Sequence, residues 1–265
     1  MIDVKKIDCF LENIRFMEKK RKVEWLEFDL LESYPHIVHG VFSRHGGVSE
    51  GPFASLNLSD SVGDNPEKVK ENREAVRKVV SLGRICFAKQ SHGSNVHRVT
   101  AKNCEIVPSA DALFTTERNI GLAITHADCQ ATMFYDPVHE AVAIAHAGWK
   151  GSAQNLYARV VDAMHRDIGT QAHNLLVCIS PSLGPDHAEY KNYRQELPSD
   201  LWKFQTKPNY FDFWEISKKQ LTGCGIMDKN IEIAGVCTHC SQNDYFSYRA
   251  NQSTGRNATV IGMRE

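Results

Sequence analysis

No apolar stretch in this 265-residue chain is long enough to span a bilayer, and no signal-peptide core follows its first residues. Cytoplasmic residence is the default expectation. Charge of one sign is also lacking: 31 Lys and Arg stand against 32 Asp and Glu. That balance excludes the basic footprint of a nucleic-acid binder and the polybasic patch of a membrane-surface protein. The short run Lys19-Lys20-Arg21-Lys22 has acidic neighbours and reads as a solvated face. There is no internal repeat, no linker and no low-complexity segment, so residues 1–265 read as one domain, with 1–21 as a loosely docked N-terminal extension, helical in part. No H-x-H pair occurs, and Cys237-Thr238-His239-Cys240 has no second C-x-x-C to pair with. The eight cysteines follow no small-domain spacing and read as reduced thiols, several of them core residues.

What is present is a strand-rich centre. Short apolar or β-branched runs predict strands over 24–31, 37–43, 85–88, 112–115, 122–125, 132–135, 141–145, 175–179, 231–236 and 259–263. Several read as buried on both faces. Asp136-Pro137 predicts a hairpin between 132–135 and 141–145. Asp64-Asn65-Pro66-Glu67 opens a helix with a polar cap and an early proline. Apolar residues at helical spacing predict a second helix over 153–168, closed by Gly169, and a third over 213–221. The stretch 186–212 gives no clear pattern. A single α/β domain with mixed sheets is the simplest account.

Three residues carry metal chemistry: His92 in QSHGSNV, Cys129 in THADC and His146 in AIAHAGW. Two imidazoles and a thiolate are a set zinc uses when a fourth position stays open. The same residues permit a metal-free reading, with Cys129 as nucleophile and His146 as base. A plain reading also stands, in which two histidines and a thiol are satisfied within the core. The loop Ser43-Arg44-His45-Gly46-Gly47 offers a forked donor for phosphate, a proton carrier, and glycines that let backbone approach a ligand. Residues 55–58 and 62–64 read as a buried polar scaffold beneath it. Cys237-Thr238-His239-Cys240 reads as packing or site lining. Arg249, beside Phe246 and Tyr248, is the better site candidate of the two C-terminal arginines.

Taken in order, FSRHGGVSEGPFASLNL, VGDNPEKVKENR, QSHGSNV, ADALFTT, THADC, AIAHAGWKG and CTHCSQNDYFSYRA with TGR resemble one family over residues 42–256. It is the laccase-domain, or multicopper polyphenol oxidase-like (YfiH-type), family, whose members have been reassigned as purine nucleoside phosphorylases. The resemblance implies a layered α/β/β/α sandwich with mixed sheets, an α+β fold grouped with cysteine-hydrolase-like toxins. It implies one zinc per chain on His92, Cys129 and His146, with Cys129, His146 and Arg44 catalytic. It implies substrate contacts from Ser43, Arg44, His45 and Arg249. The implied partners are purine nucleosides and inorganic phosphate, in a monomer or weak homodimer. Implied activities are phosphorolysis of adenosine, inosine, guanosine and methylthioadenosine, and adenosine deamination. The alternatives are a copper polyphenol oxidase, which the missing H-x-H pairs argue against, a Cys-His hydrolase, and an accessory protein linked to the cell wall. Three departures stand out. Lys150 replaces an arginine, Asp186-His187 replaces a Cys-Cys pair after Gly184-Pro185, and Ala250 replaces a second arginine.

Overall fold

The computed structural model describes residues 22–104 and 109–265, so the helix expected near the N-terminus lies outside the described residues. One mixed sheet has the order β1 (Trp25–Leu26), β2 (Ile37–Phe42), β13 (Asn257–Met263), β6 (Ile120–His126), β3 (Arg84–Phe87). The other runs β12 (Ile231–Ile233), β9 (Leu176–Ile179), β7 (Gln130–Asp136), β8 (Ala141–Ala147), β5 (Ala112–Thr115), β4 (Val96–Arg98). Each is mostly antiparallel, with parallel pairs at β3–β6, β9–β12 and β4–β5. The expected hairpin is present as β7–β8, paired from Gln130↔Ala147 to Asp136↔Ala141.

Side-chain alternation explains the layering. In β8, Val142 and Ile144 face the other sheet, while Ala141, Ala143, Ala145 and Ala147 face the helices. In β13, Ile261 and Met263 face inward, while Ala258 and Val260 face out. Every residue of β7, β8 and β13 is buried, because both faces are covered. Helix α1 (Pro66–Val80) covers the five-stranded sheet through Val76 and Val80, which pack with Phe42, Leu56 and Leu58. Its start is fixed as expected: Asn65 Oδ1 accepts from Glu67 N–H and Lys68 N–H. Helix α3 (Leu156–Ile168) covers the six-stranded sheet with Leu156, Tyr157, Val160 and Met164. Burying each such side chain contributes roughly 1.5–3 kcal/mol. The result is the α/β/β/α sandwich.

The edges depart from expectation. Where 24–31 was expected as one strand, β1 spans two residues and a 3-10 turn follows over Asp29–Leu31. Phe28 and Leu31 both enter the inter-sheet core, an i, i+3 spacing that extended chain cannot supply. The helix expected over 153–168 starts later, as α3 from Leu156; a separate α2 (Trp149–Ala153) precedes it, and Asn155, with φ of 50°, divides the two. Strand β12 stops at Ile233, short of the expected 236, ahead of Gly235 at φ 64°. The unreadable stretch 186–212 folds as α4 (Tyr193–Glu196), a 3-10 turn over Ser199–Phe204 and the hairpin β10 (Gln205–Lys207)–β11 (Tyr210–Phe211). With α5 (Phe213–Gly223) it builds a separate aromatic cluster around Phe211 and Phe213. The cysteines are not all reduced: Cys86 and Cys104 form a disulfide with Cα atoms 5.2 Å apart. The fold brings β3 beside the turn after β4, which an 18-residue separation does not announce. No helix among the described residues is long and apolar enough to cross a membrane.

His39 gives the fold a pH dependence away from the candidate site. It is buried in β2, and its Nε2 accepts the Phe28 N–H at 2.8 Å. Burial holds its pKa below the ordinary value, and only the neutral ring can accept that hydrogen bond. The unfolded chain therefore binds the extra proton, so stability is complete above about pH 6.5 and falls as pH drops below it. His39→Gln is expected to flatten this fall in urea unfolding between about pH 7.5 and 5. An unchanged slope would show that His39 is not its source.

Candidate active site

The chain passes from the five-stranded to the six-stranded sheet twice in this region. The loop between β3 and β4 carries His92, and the turn between β6 and β7 carries Cys129. His146 lies in β8, opposite Ala131 of β7. These crossings and that register bring the three residues together. One donor atom from each of His92, Cys129 and His146 lies within 4.8 Å of the others. The histidine rings meet edge-on, 4.8 Å between centroids. The backbone is bent to achieve this: His92 has φ 57° and Asp128 has φ 88°. The glycine of AHAGW has a local reason. A Cβ on Gly148 would lie 3.0 Å from Cys129 Sγ.

Asp111 organises the group; it lies in the ADALFTT motif, but no site role was read for it. It precedes β5 and is fully buried. Its carboxylate accepts Ser91 N–H and Oγ–H, His92 N–H and Gly93 N–H, and His146 Nδ1–H at 3.0 Å. It therefore shapes the His92 loop and aims His146 at the same time. With Nδ1 committed, His146 presents Nε2, as a metal-bound histidine held by a carboxylate does. Burial alone would raise the Asp111 pKa, but hydrogen bonding to His146 and the surrounding N–H groups hold it well below the carboxylate range. Burial would raise the Cys129 thiol, yet the His146 charge and hydrogen bonds from both imidazoles bring it down. Burial would lower His146, yet Cys129 and Asp111 raise it. A thiolate facing two imidazoles, one braced by a carboxylate, fits the donor chemistry of zinc with one position open.

Two cavities meet at this group. The larger, about 1180 Å³, is lined by His92, Cys129 and His146 together with Arg73, Arg77, Arg84, Lys89, Arg256 and Asp60. Arg73 is paired with Asp60 and Arg77 with Glu74, but the cations still outnumber the carboxylates, which makes it an anion-attracting cleft. The smaller, about 290 Å³, shares His92, Cys129 and Tyr248 and adds Trp149, Tyr190 and Arg249. Arg249 is held in place: its Nη1 donates to His187 O, its Nη2 to Glu189 O and its N–H to Asp128 Oδ2.

The structure does not bring Ser43, Arg44 and His45 to either cavity. Arg44 Nε and Nη2 donate to Ala54 O, Nη1 donates to Gln242 O, and the guanidinium lies 4.6 Å over the Phe246 ring. Ser43 is buried and its Oγ accepts the His45 N–H, while His45 Nε2 lies 3.4 Å from Asp244. The glycines serve packing: a Cβ on Gly47 would fall 2.2 Å from Ser55 O. Arg44 thus holds two backbone segments, a task for which its fork is equally suited. The polar scaffold read from 55–58 and 62–64 is present, with Asn57 and Asp64 bonded to each other and Asn72 donating to Asn57 O.

The family model described as multi-copper polyphenol oxidoreductase laccase matches residues 38–264. The purine nucleoside phosphorylase YlmD of Geobacillus stearothermophilus is 32% identical over 249 residues, covering 86% of this chain and 90% of that protein. The purine nucleoside phosphorylase YfiH of Escherichia coli is 30% identical over 229 residues, covering 83% and 91%. The crystal structure of YlmD from Geobacillus stearothermophilus superposes with a TM-score of 0.82 at 29% identity, covering 93% of this chain and 99% of that one. With its motifs, its sandwich and its His–Cys–His group in place, the chain belongs to the multi-copper polyphenol oxidoreductase laccase family.

Proposed function

We propose that this chain is a purine nucleoside phosphorylase that uses zinc at His92, Cys129 and His146 and also deaminates adenosine. One observation carries the reading. The three soft donors converge where a cationic cleft with room for a nucleoside and phosphate meets a second cavity. The names of the relatives, purine nucleoside phosphorylases, point the same way. In phosphorolysis the N-glycosidic bond breaks, a phosphate oxygen bonds to the anomeric carbon, and the base leaves with a proton. The chain must hold a phosphate dianion beside a sugar that gains positive charge. Arg256 suits this task better than Arg44. It lines the cleft, and its guanidinium is fixed by Nη1 donation to Thr254 O and Gly255 O, 5.5 Å from the Tyr248 ring. The exposed Tyr248 offers a purine an aromatic face. A zinc ion held by the triad would supply Lewis acidity at an open position, the property that deamination of a purine ring calls for.

A nucleoside panel of adenosine, inosine, guanosine and methylthioadenosine, each with and without phosphate, tests the reading. Free base and the sugar 1-phosphate (ribose 1-phosphate, or 5-methylthioribose 1-phosphate from methylthioadenosine) are expected only with phosphate, and inosine from adenosine in both conditions. Arg256→Gln is expected to lower phosphorolysis about tenfold, the loss of one charge-assisted contact, and to leave deamination less affected. Equal loss of both would move phosphate elsewhere, with Arg249 next. Release of neither product would end the proposal.

The thiolate–imidazolium pairing of Cys129 and His146 also suits a Cys-His hydrolase. Chelation separates the two, because a metal-free nucleophile keeps its activity.

A further inference from the structure

A second group of soft ligands lies behind Arg249. The turn at 184–188 and the loop after β12 run side by side, joined by Ser182 N–H to Val236 O and Thr238 N–H to Ser182 O. His187 comes from the turn; Cys237, His239 and Cys240 come from the loop. Both thiols approach one nitrogen: Cys237 Sγ lies 3.7 Å and Cys240 Sγ 3.6 Å from His187 Nδ1. A single ring lone pair accepts one proton, and the two thiols also face each other, so three soft donors crowd one point. A shared ion accounts for the crowding. With zinc bonds of about 2.3 Å to sulfur and 2.0–2.1 Å to nitrogen, neighbouring donors on a tetrahedron stand about 3.5 Å apart. Donor atoms of His187, His239 and Cys240 lie within 4.8 Å of one another; His239 stacks on His187 with centroids 3.9 Å apart, so its ring must turn before its lone pair meets the same ion. Gly184 N–H donates to Cys237 Sγ at 3.2 Å. A Cβ on Gly184 would lie 3.0 Å from Cys237 Cβ, so glycine lets the backbone donor reach the sulfur.

We propose that His187, Cys237, His239 and Cys240 bind a second zinc-class ion, separate from the His92–Cys129–His146 centre. Both sulfurs and the His187 nitrogen, with His239 turned in as the fourth donor, would close the coordination sphere as in a structural site. Its ion pins the 184–188 turn to the 237–240 loop. That junction supports the first centre. Thr238 Oγ1 donates to Asp128 Oδ1 at 2.7 Å, and Asp128 precedes Cys129. Arg249 donates Nη1 to His187 O and its N–H to Asp128 Oδ2. The second ion therefore braces both the thiolate ligand and the arginine facing the smaller cavity. The proposal does not depend on the reaction assigned to the first centre.

The test is metal content of the full chain, purified under reductant without added metal. Wild type is expected to carry about two zinc ions per chain. Cys129→Ala should carry one, Cys237→Ser/Cys240→Ser should carry one, and the three substitutions together none. Cobalt(II) added to Cys129→Ala should give a thiolate charge-transfer band that His187→Asn shifts or removes. This second readout holds if the double serine variant fails to fold. Three results would overturn the proposal: wild type with a single ion that the double serine variant keeps, Cys129→Ala that binds neither zinc nor cobalt, or a Cys237–Cys240 disulfide by mass in the reduced preparation. The last would make the pair a redox couple.

Discussion

Replacing His146 with alanine is expected to remove one zinc per chain and to abolish phosphorolysis and deamination together. His146 is one of three donors and the only one within a central strand, so neither loop donor can shift to replace it. Losing a hydrogen-bond partner behind a metal ligand costs roughly 10–100-fold in affinity, and losing the ligand itself costs more. The substitution also removes the imidazole that is hydrogen-bonded to Asp111 and faces Cys129. Metal analysis and the nucleoside panel read the two losses independently. A His146→Ala protein with full metal content and wild-type rates would reduce the histidine to packing and send the search toward Arg249.

Asp111→Ala is expected to damage stability and metal binding at once. The carboxylate accepts from three backbone N–H groups, one hydroxyl and one imidazole. Removing it orphans the buried His146 Nδ1–H and the N–H groups of the His92 loop, at roughly 1–3 kcal/mol each and so at least about 3 kcal/mol together. The His92 loop, held at φ 57° by these bonds, loses its shape. Zinc affinity at the first centre should drop roughly 10–100-fold, and the melting temperature should fall by at least about 6 °C, at 2 °C or more per kcal/mol. Unchanged melting and unchanged zinc competition would show that Asp111 is a bystander.

The reach of the sequence follows from what kind of signal each part leaves. Strands such as β7 and β8 were legible because branched and small residues alternate between two covered faces. His92, Cys129 and His146 were legible because few residue types bind soft metals. Asp111 was not, because an aspartate ahead of a strand looks like any turn residue until the fold places it under two loops. The placement of Arg44 was hidden for the converse reason: an arginine in a glycine-rich loop resembles an anion grip, and its engagement with Ala54 O and Gln242 O depends on chain arriving from 10 and 198 residues away. The C-x-x-C looked incomplete because its partner His187 stands 50 residues earlier. The same distance problem hid the Cys86–Cys104 disulfide. The stretch 186–212 was opaque because its aromatics pack against one another in a cluster of their own, with no single period to betray them.

The two sheet crossings have a mechanical consequence. His92 and Cys129 ride on segments that leave the five-stranded sheet, whereas His146 and its carboxylate belong to the six-stranded one. Cys129 directly precedes β7 and the His92 loop is bonded to Asp111, so both loop donors are also tied to the six-stranded sheet. An ion held by all three would therefore fasten both crossing segments to that sheet, and a loosened crossing would be felt at the ion first.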